Sequence, residues 1–146
     1  MDSASYQVIT DFSESQIEQL HSLYQGEWWS TGRTIEDVRL MLQHTDFVFG
    51  VCLPGSPKLL AFARVISDRI YKAFIFDVIV HPEHRSAGIG VFLMTHLVNH
   101  PDLSRVRHLE LYCMPERMNF YRRLGFTTEL SELRLLRQSN EPQGSA

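Results

Sequence analysis

The stretch VIVHPEHRSAGIG, Val78–Gly90, is the most informative part of this chain. It runs from an apolar strand through a turn at Pro82 into a helix, so unpaired backbone N–H groups and the positive end of a helix dipole meet there. Gly88 and Gly90 allow the backbone to approach an anion closely, and Arg85 adds a positive charge. The glycine spacing fits neither a P-loop nor a dinucleotide loop. We predict an anion site of another kind, with a plain structural turn as the alternative.

The patterns on either side of this segment predict a layered domain. The predicted strands are 6–9, 47–53, 59–66, 71–80, 109–113 and 126–136. The first predicted helix is capped by Asp11 or Ser13 and ends near Tyr24, and the second is capped by Thr34. The other two predicted helices are 90–99 and 116–124. Strand 71–80 is the most apolar, which is typical of a central strand covered on both faces. We predict an α/β fold (α+β layered) with a mixed, mostly antiparallel central sheet and helices on both faces.

Composition excludes several classes of protein. The 146 residues include 14 basic and 17 acidic ones, a formal net charge of −3, so a dedicated nucleic-acid surface is not expected. Two cysteines are too few for a disulfide scaffold, and no apolar run approaches the roughly 20 residues of a membrane span. No signal peptide is visible. We expect one cytoplasmic domain over residues 1–146, with its core at about 5–136 and a frayed tail at 139–146.

Two motifs resemble those of a known family. Arg85-x-x-Gly88-x-Gly90, after a strand that ends in Val80-His81-Pro82, is similar to the acyl-CoA signature of the GNAT superfamily of N-acetyltransferases. The downstream block NFYRRLGF, 119–126, resembles the closing helix and turn of that family. The order of elements matches over about residues 5–136, which implies the GNAT acyl-CoA transferase fold. The runs 61–68 and 76–80 are similar to a bacterial and plastid branch that includes the plant serotonin N-acetyltransferases.

The resemblance implies where acetyl-CoA binds as the acetyl donor. The pantetheine arm would lie beside Val78–Val80 like an extra strand, and the pyrophosphate would bind the N–H groups of Ser86–Val91. The predicted cofactor-binding residues are Val78, Ile79, Val80, Arg85, Ser86, Ala87, Gly88, Ile89, Gly90, Val91 and Asn119. Ser86 and Ala87 stand where the family often has Gly and Lys. Met114-Pro115-Glu116 stands where relatives often have an Asn, which weakens one expected cofactor contact.

Two residues are predicted to handle protons. Tyr121 matches the family tyrosine that protonates the departing thiolate; its alternative is a tyrosine packed on an amphipathic helix. Asp77 is the one charged residue in an apolar run, and it could accept the amine proton directly or through water. Its alternative is a structural partner for Arg64 or for loop backbone. Asp68, Glu110 and Tyr112 are weaker candidates for the base, and proton removal through ordered water is an equal alternative to Asp77.

The acceptor and the partners are less constrained. Trp28 and Trp29 lie in the segment that borders the acceptor pocket in the family, and an aromatic wall favours a flat or cationic amine; core packing is the alternative. Arg33 could pair an acidic group of the acceptor, with a solvated arginine as the alternative. Four histidines, His81, His84, His96 and His100, complete no recognised metal-ligand spacing, so no metal is expected.

The activity that follows is direct acetyl transfer to a primary amine, with a small molecule as the expected acceptor. Its alternatives are a protein or peptide N-acetyltransferase and a non-catalytic acyl-CoA-binding module. A homodimer is compatible with the exposed edge of the last predicted strand. No nucleic-acid or membrane partner is expected.

Overall fold

The centre of the computed structural model is a five-stranded sheet whose strands follow chain order. The strands are β1 (Gln7–Ile9), β2 (Phe47–Cys52), β3 (Ala61–Ser67), β4 (Lys72–Val80) and β5 (His108–Glu110). Strands β1 to β4 pair antiparallel, and β4 pairs with β5 in parallel. The sheet is therefore mixed and mostly antiparallel, as the sequence predicts.

The structure describes residues 5–141, which divide into two compact units, one that ends at Cys113 and one that begins at Met114. The first unit contains the whole sheet and three helices. The second contains one short helix and the segment that follows it. The single domain over 1–146 stays a prediction, and the part of the predicted tail at 142–146 lies outside the described residues.

The four helices are α1 (Glu14–Gln25), α2 (Ile35–His44), α3 (Ile89–Val98) and α4 (Met118–Arg122). Ser13 and Gln16 form a capping box at the start of α1, and Thr34 Oγ1 accepts the Asp37 N–H at the start of α2. A 3-10 turn, Pro115–Arg117, precedes α4. None of the helices in residues 5–141 is long and apolar enough to cross a membrane.

Helices cover both faces of the sheet. Leu20 and Tyr24 of α1 and Val38 of α2 join a buried cluster with Phe62 of β3 and Ile79 of β4. Helix α3 packs on the opposite face against β2, β3 and β4, where Phe49 contacts the rings of His96 and His100 edge to face. His96 of α3 and His100, which follows the helix, thus pack against one aromatic ring. The predicted two-sided arrangement of helices is confirmed.

Strand β4 contains a bulge at Asp77. Phe62 pairs with Ile79 and Arg64 pairs with Phe76, so β4 has one more residue than β3 across this interval. Asp77 itself has a φ of 57°, a left-handed conformation that the first residue of a G1 bulge adopts, there usually as glycine. Beyond the bulge β4 no longer pairs with β5, whose partners are Lys72, Ala73 and Phe74. The strand is internal only in its first third, so the predicted central strand is partly wrong.

The C-terminal elements differ most from the prediction. No strand occurs in the described residues after Glu110, so the predicted strand 126–136 is wrong. Helix α4 and strand β5 are also shorter than 116–124 and 109–113. The composition of this segment is typical of a strand, but within residues 5–141 the segment packs on no sheet edge that would bury its leucines. The exposed leucines are Leu130, Leu133, Leu135 and Leu136. A β-strand needs a neighbouring strand for its backbone hydrogen bonds, and the composition of a segment does not show whether one is present.

Candidate active site

Asp77 is the centre of a buried charge cluster. One oxygen of its carboxylate, Oδ2, accepts hydrogen bonds from Tyr24 Oη at 2.8 Å, Arg33 Nη1 at 2.8 Å and Arg64 Nε at 2.7 Å. The side chain of Asp77 is only 7% exposed. The bulge delivers this carboxylate to the face of the sheet that α1 and α2 cover. Asp77 is therefore a partner of Arg64, the structural role that the sequence left open.

The cluster changes the proton affinity of its members. Burial raises the pKa of the Asp77 carboxyl, but the hydrogen bonds and charges of Arg33 and Arg64 outweigh burial, and the pKa falls below its usual value. Burial and the adjacent carboxylate raise the pKa of Tyr24 far above the usual range of a phenol. Asp77 is thus ionised at neutral pH, but a lower pKa makes it a weaker base. The proton-accepting role of Asp77 stays a prediction.

The aromatic segment after α1 lies beside this cluster. The guanidinium of Arg33 lies 4.5 Å from the ring centre of Tyr24 and 5.4 Å from that of Trp29, and the rings of Tyr24 and Trp29 meet edge to face. Trp28 is 65% exposed, so it is not a core residue. Trp29 is partly exposed as well. The structure therefore brings Trp29 and Asp77 together through Tyr24 and Arg33, while the acceptor-binding role of Trp28 and Trp29 stays a prediction.

The edge of β4 beyond the bulge is open. In residues 5–141, Val78–Val80 pair with a strand on one side only, through the contacts of Ile79 with Phe62 and of Val80 with Ala61. Backbone groups on the other side can accept an extended chain as an additional strand. This is the edge at which the pantetheine arm is predicted, so the geometry fits that group.

The turn that follows β4 provides backbone donors. Ser86 and Gly88 have φ values of 70° and 78°, and α3 begins at Ile89 without a side-chain cap. The first N–H groups of α3 have no intrahelical acceptor, because the first bond of the helix joins Phe92 N to Gly88 O at 3.0 Å. Tyr6 Oη donates to Ala87 O at 3.2 Å and fixes the turn to the start of β1. Ser86–Val91 thus fit a pyrophosphate.

Arg85 is held at the junction of strand and turn. Its Nε donates to Val80 O at 3.2 Å, and its Nη2 contacts Glu27 Oε1 at 3.0 Å. Glu27 follows α1, and nothing in its sequence context indicates this contact. The positive charge predicted at Arg85 is present, but a carboxylate partly neutralises it.

A cleft of about 360 Å³ lies between α1 and the end of β4. Its lining includes Leu23, Glu27, Ile79, His81 and Arg85. The cleft therefore lies beside Ile79 of β4 and extends to Arg85, at the start of the turn. Of the residues predicted to bind the cofactor, Ile79 and Arg85 line this cleft.

Tyr121 and Asn119 belong to α4 in the second unit. The Tyr121 ring meets Phe120 and Phe126 edge to face, and the backbone N–H groups of Leu124 and Phe126 donate to Tyr121 O. Asn119, Arg122 and Arg123 line an open depression of about 440 Å³. The catalytic role of Tyr121 and the cofactor contact of Asn119 stay predictions.

The weaker candidates have structural partners. Asp68 Oδ1 accepts the N–H groups of Ile70, Tyr71 and Lys72, and these bonds lower the pKa of the carboxyl. Glu110 pairs with Lys72 at 2.9 Å.

One histidine cluster lies beside the turn. Potential ligand atoms of His81, Glu83 and His84 lie within 4.8 Å of one another. His81 Nδ1 already accepts the Glu83 N–H. The expectation that no metal is used stays a prediction.

The sequence does not identify two members of the site. Tyr24 resembles an ordinary apolar residue of the amphipathic helix α1, and Glu27 resembles a solvated loop acid. A buried Asp in β4 beside an Arg in β3 signals an ion pair, but it does not signal that a tyrosine and a second arginine join it. Only the packing of α1 and α2 on this face brings all four side chains together.

Comparison with known proteins supports one family. Residues 14–126 match the model of the "Acetyltransferase (GNAT) family", and this chain belongs to that family. A crystal structure of a GNAT-family protein from Xanthomonas campestris pv. campestris superposes with a TM-score of 0.78 at 32% identity and covers 92% of each chain. The resemblance inferred from Arg85-x-x-Gly88-x-Gly90 and from the block at 119–126 is confirmed.

The curated relatives include chloroplastic proteins of plants. GCN5-related N-acetyltransferase 1, chloroplastic, of Arabidopsis thaliana is 31% identical over 77% of this chain and 57% of that protein. Serotonin N-acetyltransferase 2, chloroplastic, of Oryza sativa subsp. japonica is 31% identical over 70% of this chain and 52% of that protein. The predicted likeness to the plastid branch is confirmed. The chain spans little more than half the length of these relatives.

Proposed function

We propose that this chain transfers the acetyl group of acetyl-CoA directly to the primary amine of a small molecule. The observation that carries the proposal is the open edge of β4 at Val78–Val80, which continues into the uncapped start of α3. An extended pantetheine arm and a pyrophosphate need these two features in this order. The family and the relatives named as N-acetyltransferases support the reaction class.

The residues of the chain have separate tasks in this proposal. Backbone groups of Val78–Val80 orient the donor, and N–H groups of Ser86–Val91 hold its pyrophosphate. The amine nitrogen forms a bond to the acetyl carbon, the carbon–sulfur bond breaks, and the ammonium proton leaves through Asp77 or through water. Tyr121 donates a proton to the departing thiolate. No covalent intermediate on the protein is required.

The small-molecule acceptor rests on the aromatic surroundings of the Asp77 cluster. Trp29, Tyr24 and Phe76 offer ring surface near the two arginines, which suits a compact flat molecule. The relative from Oryza sativa is named for an aromatic amine, serotonin. A cytoplasmic location and a homodimer stay predictions, and several relatives carry the word chloroplastic in their names.

The test is release of CoA thiol from acetyl-CoA in the presence of single amines, with the acetylated product confirmed by mass spectrometry. The panel contains small primary amines, a lysine-containing basic peptide and a buffer blank. Turnover with a small amine supports the proposal, and turnover with the peptide alone overturns the small-molecule part. A thermal shift by acetyl-CoA without turnover on any amine would indicate the non-catalytic module.

The role of Tyr121 has its own control. Tyr121→Phe removes the proton donor, so kcat should fall by about 100-fold, while the thermal shift caused by acetyl-CoA is kept. Tyr71→Phe alters an exposed tyrosine of the turn before β4 and should leave kcat unchanged. Equal kcat values for Tyr121→Phe and the parent protein would remove the residue from the mechanism.

A further inference from the structure

Arg64 has hydrogen-bond donors that the protein does not use. Its Nε donates to Asp77, but its two Nη groups have no acceptor in the described chain, although the side chain is only 14% exposed. Neither group is sealed from solvent, because within residues 5–141 the one buried side-chain polar atom without a partner is Nε2 of His84. A guanidinium held by Nε thus presents both Nη groups to an accessible space.

Arg33 is in a similar position. Its Nη1 donates to Asp77 Oδ2, whereas its Nε and Nη2 have no acceptor in the part of the chain that the structure describes. The side chain is 32% exposed and stacks on Tyr24 and Trp29. Both arginines therefore keep unused donors beside a carboxylate that each already binds.

The cluster carries an excess of positive charge. Two guanidinium groups surround the single carboxylate of Asp77, and Tyr24 stays neutral because burial raises its pKa. The acidic residues on the neighbouring segments do not correct this excess, since Glu27 pairs with Arg85 and Glu110 pairs with Lys72. A molecule that entered this region with only an ammonium group would meet like charge.

An aromatic surface borders the arginines. The Arg64 guanidinium lies 4.8 Å from the ring centre of Phe76, and the Phe76 and Phe74 ring centres are 4.8 Å apart. The Tyr112 ring lies 5.6 Å from Phe74 and 6.3 Å from Phe76, and Tyr112 is 53% exposed. Arg64 and Phe76 pair across β3 and β4, so both side chains lie on one face of the sheet. This face can bind a flat apolar group next to an anion.

We propose that the acceptor amine also carries a carboxylate, which binds the free donors of Arg64 and Arg33 while its ring lies on Phe76 and Tyr112. The planar fork of a guanidinium matches the two oxygens of a carboxylate. Binding of the anion supplies the negative charge that the cluster lacks and thereby lowers the repulsion on the amine. The inference rests on the proposed amine acetylation and names its substrate class.

Three amines with the same ring test the proposal. They are 2-phenylethylamine, phenylalanine with a carboxylate beside the amine, and 4-(2-aminoethyl)benzoate with a carboxylate at the far end of the ring. We expect kcat/KM for one of the two carboxylated amines to exceed that of 2-phenylethylamine by about ten-fold, mainly through KM, because hydrogen bonds to charged groups are strong. A kcat/KM for 2-phenylethylamine equal to or above both carboxylated amines would overturn the inference and leave amine acetylation standing. Inactivity of all three would overturn the inference and the small aromatic acceptor together.

Two variants test whether the arginines cause the preference for the carboxylated amine. Arg64→Gln and Arg33→Gln should each reduce the ratio of kcat/KM for the preferred carboxylated amine to kcat/KM for 2-phenylethylamine. Arg69→Gln is the matched control, since Arg69 is an exposed arginine that pairs with Asp102 and should keep the full preference. A preference that survives in both Arg64→Gln and Arg33→Gln would overturn the assignment.

A binding measurement keeps the proposal open to refutation if Arg64→Gln fails to fold. The amine-free analogue 3-phenylpropanoate should raise the melting temperature of the parent protein and should do so less for Arg33→Gln, whose side chain is the more exposed of the two. The uncharged 3-phenylpropanamide serves as its control. Equal shifts with the acid and the amide would contradict recognition of the carboxylate.

Discussion

Asp77 and the turn Arg85–Val91 lie within 15 residues of each other in the chain, but the cluster around Asp77 and the turn are built by different means. Four side chains from α1, the segment after it, β3 and β4 hold the cluster, and each depends on the chemical type of the others. The turn depends on backbone conformation at Ser86 and Gly88 and on an uncapped helix. Identity of side chains therefore matters at the cluster, and backbone freedom matters at the turn.

The largest effect is expected from Asp77→Asn. The change leaves Arg33 and Arg64 without their shared anion, so the free energy of unfolding should fall by about 3 kcal/mol, the lower end for buried ion pairs because Arg33 is partly exposed. Urea unfolding at pH 7 measures it. Asp102→Asn breaks the exposed pair with Arg69 and should cost less than about 1 kcal/mol. Equal losses for the two variants would show that the cluster is not special.

The same cluster predicts a dependence of stability on pH. The folded pKa of Asp77 lies below its unfolded value of about 3.9, so its contribution is complete above that pH and disappears as the pH falls through the folded value. The difference in unfolding free energy between the parent protein and Asp77→Asn should therefore narrow from pH 5 to pH 2. A difference that is constant across this range would contradict the lowered pKa.

At the turn, Gly88→Ala should have a smaller effect. Gly88 has a φ of 78°, and an added Cβ meets no atom within 4 Å, so the cost is conformational, about 1 kcal/mol. The Cβ would also lie where a phosphate is proposed to approach, and the thermal shift caused by acetyl-CoA should decrease. Gly32→Ala adds a Cβ in equally open space without a positive φ and is the control for both measurements. An unchanged acetyl-CoA shift in Gly88→Ala would move the pyrophosphate away from this turn.

The smallest effect is expected from Ser86→Gly, which restores the residue that the family often has at this position. Ser86 has a φ of 70°, and glycine relieves that conformation, so the unfolding free energy should rise by up to about 1 kcal/mol. Ser131→Gly relieves a similar φ of 58° outside the turn. Both should stabilise the protein alike, and only Ser86→Gly should alter the response to acetyl-CoA. A loss of stability in Ser86→Gly would mean that its side chain, and not its backbone, supports the turn.

Sequence reasoning succeeded where a local rule is sufficient. Caps at Ser13 and Thr34, the turn at Pro82 and the helix after Gly88 depend on residues close in the chain, and the structure has each of them. The strand at 126–136 was wrong because pairing needs a partner edge that composition does not reveal. The sequence predicted only part of the cluster, the possible pair of Asp77 and Arg64. Tyr24 and Arg33 contact Asp77 because α1 and α2 pack on this face of the sheet. Long-range contacts, not propensities, set the limit of the prediction.

The bulge in β4 divides the strand into two parts, and odd-numbered side chains point to opposite faces of the sheet in the two parts. Ala73 and Ile75 are buried before it, and Ile79 is buried after it, although all three are odd-numbered positions of one strand. Because Ile75 pairs with Val65 and Ile79 pairs with Phe62, the two halves point their apolar side chains to opposite layers of the domain. The number of residues in the bulge therefore fixes the direction of the side chains that follow it. Deletion of one residue at 77 or 78 would leave the composition almost unchanged, but it would turn the Ile79 side chain away from α1. Chain length at this point is as much a part of the site as the residues themselves.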